Sequence, residues 1–268
     1  MQTITSKDNE KIKHIKKLKD KKYRDEKHQY IIEGIKMLEE AIKENADIDT
    51  IIICEECIKQ DTLDSKFLYE IANEECIYVP KKIFTSLTDV VNPQGILAVI
   101  NKSRKANEIK FDEEFILILD NIQDPGNMGT ILRTADSLNI NQIIVSKGSA
   151  DVYNLKVVRS TMGAIFRIKV IEADDLTKTL REMRKNNINI CATDLHTDKS
   201  IYDIDYHKTA VVIGNEANGV SQKILDIADT KIKIPMIGKT ESLNAAVATS
   251  IIMYEAYRKN GELGDVHH

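Results

Sequence analysis

The stretch FILILDNIQDPGNMGTILRTADS, residues 115–137, decides the fold of this chain. Its opening FILIL has no polar alternation, which is typical of a parallel strand buried on both faces. Pro125 and Gly126 then form a turn, and a helix is expected over 128–138. A strand, a loop and a helix in this order predict one repeat of an α/β fold.

The same alternation continues to the end of the chain. Further strands are predicted in QIIVS, FRIKVIE, INICATDL, TAVVIG and TKIKIP, and further helices over 154–162, 174–186, 221–228 and 244–258. Strands that alternate with helices of this length predict a parallel sheet covered on both faces.

The first half of the chain predicts a smaller α/β domain. A long basic helix is expected over about 7–27, with Ser6 as its N-cap. Behind it come strands in YIIEG, DTIIIC, CIYVP and ILAVI, with a helix near 65–72 among them. The polar stretch 101–114 has no periodic apolar pattern and indicates a linker. We therefore expect one domain over 1–105 and a second over 106–268.

Composition and charge narrow the possible functions. The charged fraction of 30% beside a hydrophobic fraction of 42% is typical of a globular protein. No apolar run approaches the roughly 18 residues that span a bilayer, and no secretory signal opens the chain. We therefore expect a cytoplasmic protein with no membrane partner.

The positive charge is concentrated near the N-terminus. Residues 7–27 carry ten Lys or Arg against five Asp or Glu, although the whole chain has a net charge of −4. Such a concentration indicates a phosphate-backbone partner, but it also fits an ordinary solvated helix face.

Four cysteines include one CxxC, at Cys54 and Cys57. A structural zinc site normally needs four ligands, and no second CxxC or His pair supplies the other two. We expect these cysteines to be incidental and the protein to use no metal.

Two further segments, like residues 120–127, place glycine and polar residues after a predicted strand. VVIGNEANGVS, residues 211–221, has glycines on either side of Glu216, which suits a backbone that approaches a ligand closely. IPMIGKTESLNAAVATS, residues 234–250, has Ser242 as a possible N-cap and Asn244 at the start of a helix. All three segments follow predicted strands, where open α/β sheets bind ligands. Each segment alone also fits an ordinary turn or a capped helix.

Several familiar sites are absent from the sequence. It contains no GxGxxG, no GxxxxGK[ST], no GxSxG and no HExxH. A dinucleotide-dependent oxidoreductase on a doubly wound sheet therefore has little support.

Taken together and in this order, NMGTILR, IGNEANGVS and IPMIGKTESLNAAVA resemble the three motifs of the SpoU (TrmH-like) branch of the SPOUT RNA methyltransferases. The resemblance covers residues 115 to about 258. More loosely, the basic N-terminal helix, YIIEGIKMLEEAI and NPQGILAV resemble the family's L30e-like substrate-binding domain.

The resemblance implies a parallel sheet with a trefoil knot, S-adenosyl-L-methionine as cofactor, and a homodimer through the C-terminal domain. The active site would form at the subunit interface. Its implied catalytic residues are Arg133, Asn127, Glu216, Ser242 and Asn244. Its implied cofactor-binding residues are Gly214, Ile234, Met236, Gly238 and Leu243.

The implied activity is methylation of a ribose 2′-hydroxyl in RNA. We expect 23S ribosomal RNA, because the family's tRNA enzymes commonly lack the N-terminal domain. A tRNA 2′-O-methyltransferase and a non-catalytic RNA-binding relative remain alternatives. Because an arginine side chain stays protonated under all conditions in which proteins are folded, Arg133 is expected to act as a positioned cation and not as a base.

Overall fold

A computed structural model describes residues 2–58, 71, 74–102, 108–240 and 242–261. The chain divides into two compact units. The first comprises Met1–Arg104 and Tyr153–Phe166, and the second comprises Lys105–Val152 and Arg167–His268. Of the helix expected near 65–72, the described residues include only residue 71, so this prediction is not tested.

The first unit is a five-stranded sheet with helices around it. Its strands are β1 (Gln2–Thr3), β2 (Gln29–Glu33), β3 (Ile48–Ile53), β4 (Cys76–Tyr78) and β5 (Ile96–Asn101). Its helices are α1 (Glu10–Lys17), α2 (Lys21–Lys27), α3 (Ile35–Lys43), α4 (Lys81–Leu87) and α6 (Leu155–Ser160). The sheet order is β1-β4-β3-β5-β2, and β5 runs antiparallel to both of its neighbours.

The prediction of one long basic helix over 7–27 is wrong, because the structure has two helices, α1 and α2. Asn9, not Ser6, caps α1, and its side chain accepts a hydrogen bond from the Lys11 N–H at 2.9 Å. The second helix, α2, begins after Asp20, because the Asp20 carboxylate accepts a hydrogen bond from the Tyr23 N–H at 3.0 Å and so caps a new helix.

Arg24 stabilises the break between the two helices. Its side chain is buried, and Nη1 donates to the carbonyl oxygens of Leu18 at 2.7 Å and Lys19 at 2.8 Å. These carbonyls would otherwise lack partners at the end of α1. One of the ten basic residues of this region is therefore structural.

Glu33 is a buried carboxylate at the end of β2. The Thr88 hydroxyl donates to its Oε1 at 2.6 Å, and Arg159 Nη1 of α6 lies 3.7 Å from its Oε2. Burial raises the pKa of Glu33 above its ordinary value of 4.5, although Thr88 and Arg159 oppose the rise.

The raised pKa of Glu33 predicts a pH dependence of stability. The folded chain holds this proton more tightly than the unfolded chain does, so the contribution of Glu33 is most favourable below its unfolded pKa. It falls as pH rises through the folded pKa. Relative to wild type, Glu33→Gln should therefore gain free energy of unfolding between about pH 4, below the unfolded pKa, and about pH 8, as measured by urea denaturation. The exposed Glu39→Gln is the matched control, and an equal difference at both pH values would contradict the prediction.

The second unit contains the predicted parallel sheet. Its strands are β6 (Phe115–Leu119), β7 (Gln142–Ser146), β8 (Lys169–Ala173), β9 (Asn189–Thr193), β10 (Thr209–Ile213) and β11 (Thr230–Ile232). Its helices are α5 (Pro125–Ser137), α7 (Leu176–Lys185), α8 (Gln222–Leu225) and α9 (Ala245–Lys259). The described helices include none that is long and apolar enough to cross a membrane.

The strand order of this sheet positions the candidate site. The order is β11-β9-β10-β6-β7-β8, and every pairing is parallel. From β6 the chain proceeds to β7 and β8, and it then continues on the far side of β10. The carboxyl ends of β6 and β10 therefore form the point where the winding reverses, which is where open α/β sheets bind ligands.

Candidate functional site

The site begins at the loop between β6 and α5. Asp124 is the N-cap of α5, and its Oδ1 accepts a hydrogen bond from the Asn127 N–H at 2.7 Å. Pro125 takes the first helical position, where its missing N–H costs nothing. The helix therefore starts three residues before the predicted position, and Asn127 is held in its first turn.

Glu216 lies on the loop after β10 and accepts hydrogen bonds from the β6–α5 segment. Asn127 Nδ2 donates to its carboxylate at 2.9 Å, and the N–H groups of Gln123 and Asp124 donate at 3.3 Å each. Partial burial alone would raise the pKa of Glu216, but these hydrogen bonds outweigh it and lower the pKa. Glu216 is thus a carboxylate kept ionised by hydrogen bonds, and a poor proton acceptor at neutral pH.

Asn244 joins the third segment to the other two. Its Oδ1 caps α9 by accepting from the N–H groups of Ala246 at 2.9 Å and Val247 at 3.2 Å. Its Nδ2 donates to Asn127 Oδ1 at 2.9 Å. Asn127 therefore bridges Glu216 and Asn244, and the three predicted residues form one hydrogen-bonded chain.

Ser242 is not the N-cap of the last helix, since Asn244 takes that role. The prediction of a capping serine is wrong because the described helix begins two residues later, at Ala245. Ser242 is exposed instead, on the wall of the cavity described below.

The loop after β10 folds so closely over Gly214 that only glycine fits there. A Cβ at this position would lie 2.0 Å from the carbonyl carbon of Gly219 and 2.0 Å from the nitrogen of Val220. Both are backbone atoms, which a side-chain rotation cannot move away. The sequence predicts glycine here for close approach to a ligand, whereas in the structure the backbone of the chain's own loop requires it.

Asn215 holds this loop together and was not predicted. Its Nδ2 donates to the Asn121 carbonyl at 2.8 Å, and its Oδ1 accepts from the N–H groups of Ala217 at 2.9 Å and Asn218 at 3.1 Å. Asparagine side chains often bond the backbone two residues on, and an asparagine directly after the strand-ending glycine was the available signal.

Asp120 is a second positioning residue that sequence reasoning did not identify. It is buried at the end of β6, and its Oδ2 accepts from the Ser221 N–H at 3.0 Å. A carboxylate directly after an apolar strand was the signal, because a buried charge needs such a partner.

A cavity of about 700 Å³ opens between the loops that follow β9, β10 and β11. Its volume lies within the range of small-molecule sites. Apolar side chains and loop backbone line much of it, and four of the five residues predicted to bind cofactor are among them: Gly214, Ile234, Met236 and Leu243. Gly238 is absent from the described lining and has open space around it.

Of the predicted catalytic residues, Glu216 and Ser242 line the cavity. Arg133 is exposed on α5 and does not belong to the described lining. It lies six residues after Asn127, which places it about 9 Å farther along the helix axis and on a different helix face. A single chain therefore assembles the cavity and the Asn127 network without Arg133.

Two family profiles match the chain. Residues 114–254 match the SpoU rRNA Methylase family. Residues 9–98 match the MRM3-like substrate binding domain.

Individual proteins resemble the chain over nearly its whole length. The 23S rRNA (guanosine(2553)-2'-O)-methyltransferase RlmP of Bacillus subtilis is 31% identical over 95% of this chain and 98% of its own length. A crystal structure of an AdoMet-bound rRNA methyltransferase from Sinorhizobium meliloti superposes with a TM-score of 0.82 at 28% identity, covering 96% of this chain and 97% of that one. The SpoU methyltransferase AviRb from Streptomyces viridochromogenes, in complex with AdoMet, gives a TM-score of 0.82 at 26% identity, covering 94% of this chain and 98% of that one.

Proposed function

Because this chain belongs to the SpoU rRNA methylase family, we propose that it transfers the methyl group of S-adenosyl-L-methionine to a ribose 2′-hydroxyl of 23S ribosomal RNA. The observation that carries the proposal is the hydrogen-bonded chain of Asn244, Asn127 and Glu216 beside a ligand-sized cavity. The full-length similarity to a 23S rRNA enzyme favours ribosomal RNA, and a cytoplasmic location is consistent with that substrate.

The cavity fits the cofactor in both size and chemistry. The backbone at Gly214 would form part of the wall around the cofactor, while Ile234, Met236 and Leu243 would provide apolar contacts. S-adenosyl-L-methionine supplies a methyl group that is already activated by its sulfonium charge. The contribution left to the protein is to orient the ribose and to manage one proton, and such orientation can contribute several kcal/mol, within a limit of roughly 7–11 kcal/mol.

The catalytic residues divide into positioning groups and groups that would face the substrate. Glu216 remains ionised by accepting hydrogen bonds, so we assign it the positioning of Asn127 and not proton abstraction. Arg133 would stabilise the developing alkoxide of the ribose as a permanent cation. Ser242, exposed on the cavity wall, would contact the ribose or the cofactor.

We further propose that the chain is a homodimer in which Arg133 reaches the cavity of the partner subunit. Helix α9 carries an exposed apolar stripe formed by Val247, Ile251 and Tyr254, at the spacing of one helix face. An exposed apolar stripe of this kind is typical of an interaction surface.

Mixing two inactive variants tests this arrangement. Arg133→Ala and Asn244→Ala should each abolish methyl transfer, but heterodimers formed on mixing would contain one intact site. We expect about a quarter of wild-type activity to return after subunit exchange, if dimers form at random. No recovery, in a mixture shown by mass spectrometry to contain heterodimers, would place Arg133 and Asn244 in the same chain's site.

We also propose that residues 233–244 thread the C-terminal segment into the trefoil knot that the family resemblance implies. These residues connect β11, at the sheet edge, with α9, which packs on α5 through a 3.3 Å hydrogen bond between Ser250 and Thr134.

The substrate is tested by mass spectrometry of nucleosides from rRNA and tRNA of a deletion strain. The proposal predicts the loss of one 2′-O-methylated nucleoside from 23S rRNA. Loss from tRNA alone would show that the substrate is tRNA. Calorimetry with S-adenosyl-L-methionine addresses the remaining alternative, since absence of binding would indicate a non-catalytic RNA-binding relative.

A further inference from the structure

Two cysteine side chains meet directly after β3, in the first unit. Cys54 is the first residue after the strand, and Cys57 ends the short 3₁₀ helix Glu55–Cys57 that follows. The Cys54 thiol donates a hydrogen bond to Cys57 Sγ, and the two sulfur atoms lie 2.9 Å apart. A disulfide would bring them closer by only about 0.9 Å. The sequence predicts incidental cysteines here, whereas the structure holds the two thiols close to bonding distance.

The backbone that carries the two cysteines is held by hydrogen bonds and by close packing. The Cys54 N–H donates to the Gly95 carbonyl at 2.8 Å, and the Cys57 N–H donates to the Cys54 carbonyl at 3.0 Å. Glu56 Oε1 accepts a hydrogen bond from the Lys81 N–H of α4 at 3.1 Å. A Cβ at Gly95 would lie 2.7 Å from the Cys54 oxygen and 3.1 Å from Cys57 Cβ, so the turn packs against this glycine. The fold therefore holds the two thiols together before any bond forms.

The two thiols differ in their access to solvent. Cys54 is buried in the apolar core of the first unit, whereas Cys57 is half-buried. Burial first, and the hydrogen bond to Cys57 second, raise the pKa of Cys54 to about 12. An external reagent therefore meets Cys57 first, and Cys54 can react only with a group that Cys57 already carries.

We propose that Cys54 and Cys57 form a reversible disulfide, with a small-molecule disulfide such as oxidised glutathione as the oxidant. The Cys57 thiolate attacks one sulfur of glutathione disulfide, which forms a mixed disulfide and releases one glutathione thiolate. The Cys54 thiolate then attacks Cys57 Sγ and releases the second glutathione. Two cysteine thiols are oxidised to one disulfide, one glutathione disulfide is reduced to two glutathione molecules, and the two protons end on their thiols.

The first step prepares the second. Once Cys57 Sγ is bonded to glutathione it carries no charge, so the hydrogen bond and the charge that help to retain the Cys54 proton are lost. Burial of Cys54 remains, and it keeps the fraction of Cys54 thiolate low. The closeness of the two sulfur atoms offsets that low fraction, because it makes the second step intramolecular.

The test uses the full-length chain, first reduced and then equilibrated with glutathione buffers at about pH 8, where thiols and disulfides exchange. Alkylation of the remaining thiols and tryptic digestion then locate the bond. Cys54 and Cys57 share the tryptic peptide 44–59, while Cys76 lies in the peptide 67–81. We expect the peptide 44–59 to escape alkylation and to be lighter by about 2 Da, the mass of the two hydrogens lost.

Cys76 is the matched control, since it is half-buried like Cys57. At fixed total glutathione, we compare the ratios of oxidised to reduced glutathione at which each site is half modified. The ratio for the Cys54–Cys57 disulfide should be at least about 10-fold lower than the ratio for Cys76, because the second step is intramolecular only at the pair.

Single variants separate the two steps. Cys54→Ala keeps an apolar side chain in the core and should trap the mixed disulfide, so that glutathione accumulates on Cys57. Cys57→Ser should leave Cys54 unmodified, because Cys54 is buried. Thermal unfolding checks that each variant is folded, and the peptide analysis of the wild-type chain does not depend on either variant.

Glutathione that stays on Cys57 of the wild-type chain, with no loss of mass from the peptide 44–59, would overturn the inference. Half-modification of Cys76 and of the pair at the same glutathione ratio would overturn it as well. So would a zinc complex of the reduced chain that prevents the oxidation, which would indicate a metal site. The inference concerns the first unit alone, so a chain that forms the disulfide but transfers no methyl group would contradict only the proposed function.

Discussion

Replacing Gly214 with alanine is expected to lower the free energy of unfolding by about 3 kcal/mol and to abolish cofactor binding. The added methyl group would lie 2.0 Å from the backbone of residues Gly219 and Val220, where no side chain can rotate away. The strand end and the loop must therefore separate. Because that loop forms part of the cavity wall, the cavity changes shape together with the loop.

Urea denaturation and calorimetry with S-adenosyl-L-methionine measure the two effects of Gly214→Ala separately. Gly238→Ala is the matched control, since a Cβ there meets nothing within 4 Å and we expect no loss of stability. Calorimetry on the same control shows whether cofactor binding tolerates a side chain at position 238. A Gly214→Ala protein with wild-type stability and affinity would contradict the close packing of this loop.

Replacing Arg133 with lysine is expected to reduce kcat about 100-fold, which corresponds to roughly 2.7 kcal/mol of transition-state stabilisation. A lysine keeps the charge but loses the planar fork of donors with which arginine holds an oxyanion or a phosphate. Stability should not change, because Arg133 is exposed on α5. Cofactor affinity should also be retained, since Arg133 does not belong to the described lining of its own chain's cavity.

Single-turnover methyl transfer with saturating RNA measures the effect of Arg133→Lys on the chemical step. Arg181→Lys, at an exposed position of α7, is a matched control that we expect to leave kcat unchanged. Near-normal turnover of Arg133→Lys would remove the case for a special role of the guanidinium group.

Much of the second unit could be predicted because its signals are local. The run FILIL is apolar at every position, and it forms a strand between two others at the centre of the sheet. The break between α1 and α2 was harder to predict, since Lys16 to Lys22 are all compatible with a continuous helix. It depends on Asp20 as the N-cap of α2 and on the buried Arg24, whose contacts with the carbonyls of Leu18 and Lys19 have no periodic signature in the sequence.

The candidate site was predictable in part because its residues, too, follow strands with clear local signals. The structure joins Asn127, Glu216 and Asn244 directly, as expected of polar residues in segments that follow strands of one parallel sheet. Asn215 and Asp120 were missed because each ties its strand end to a backbone group about 100 residues away, Asn215 to the Asn121 carbonyl and Asp120 to the Ser221 N–H, and the local signals at these positions do not identify those partners. The assignment of catalytic and cofactor-binding roles to the individual residues stays a prediction.

The grouping of Tyr153–Phe166 with the first unit affects how this protein can be dissected. Tyr153 packs on Tyr30 with ring centres 4.8 Å apart, and Lys102 Nζ lies 4.4 Å from the centre of the Tyr153 ring. A gene fragment that ends at residue 104 would therefore encode a unit lacking one of its own helices. A chimera joined at that point would combine β2 with another protein's version of α6. Exchange of the first unit among relatives therefore requires the transfer of two segments, residues 1–104 and 153–166.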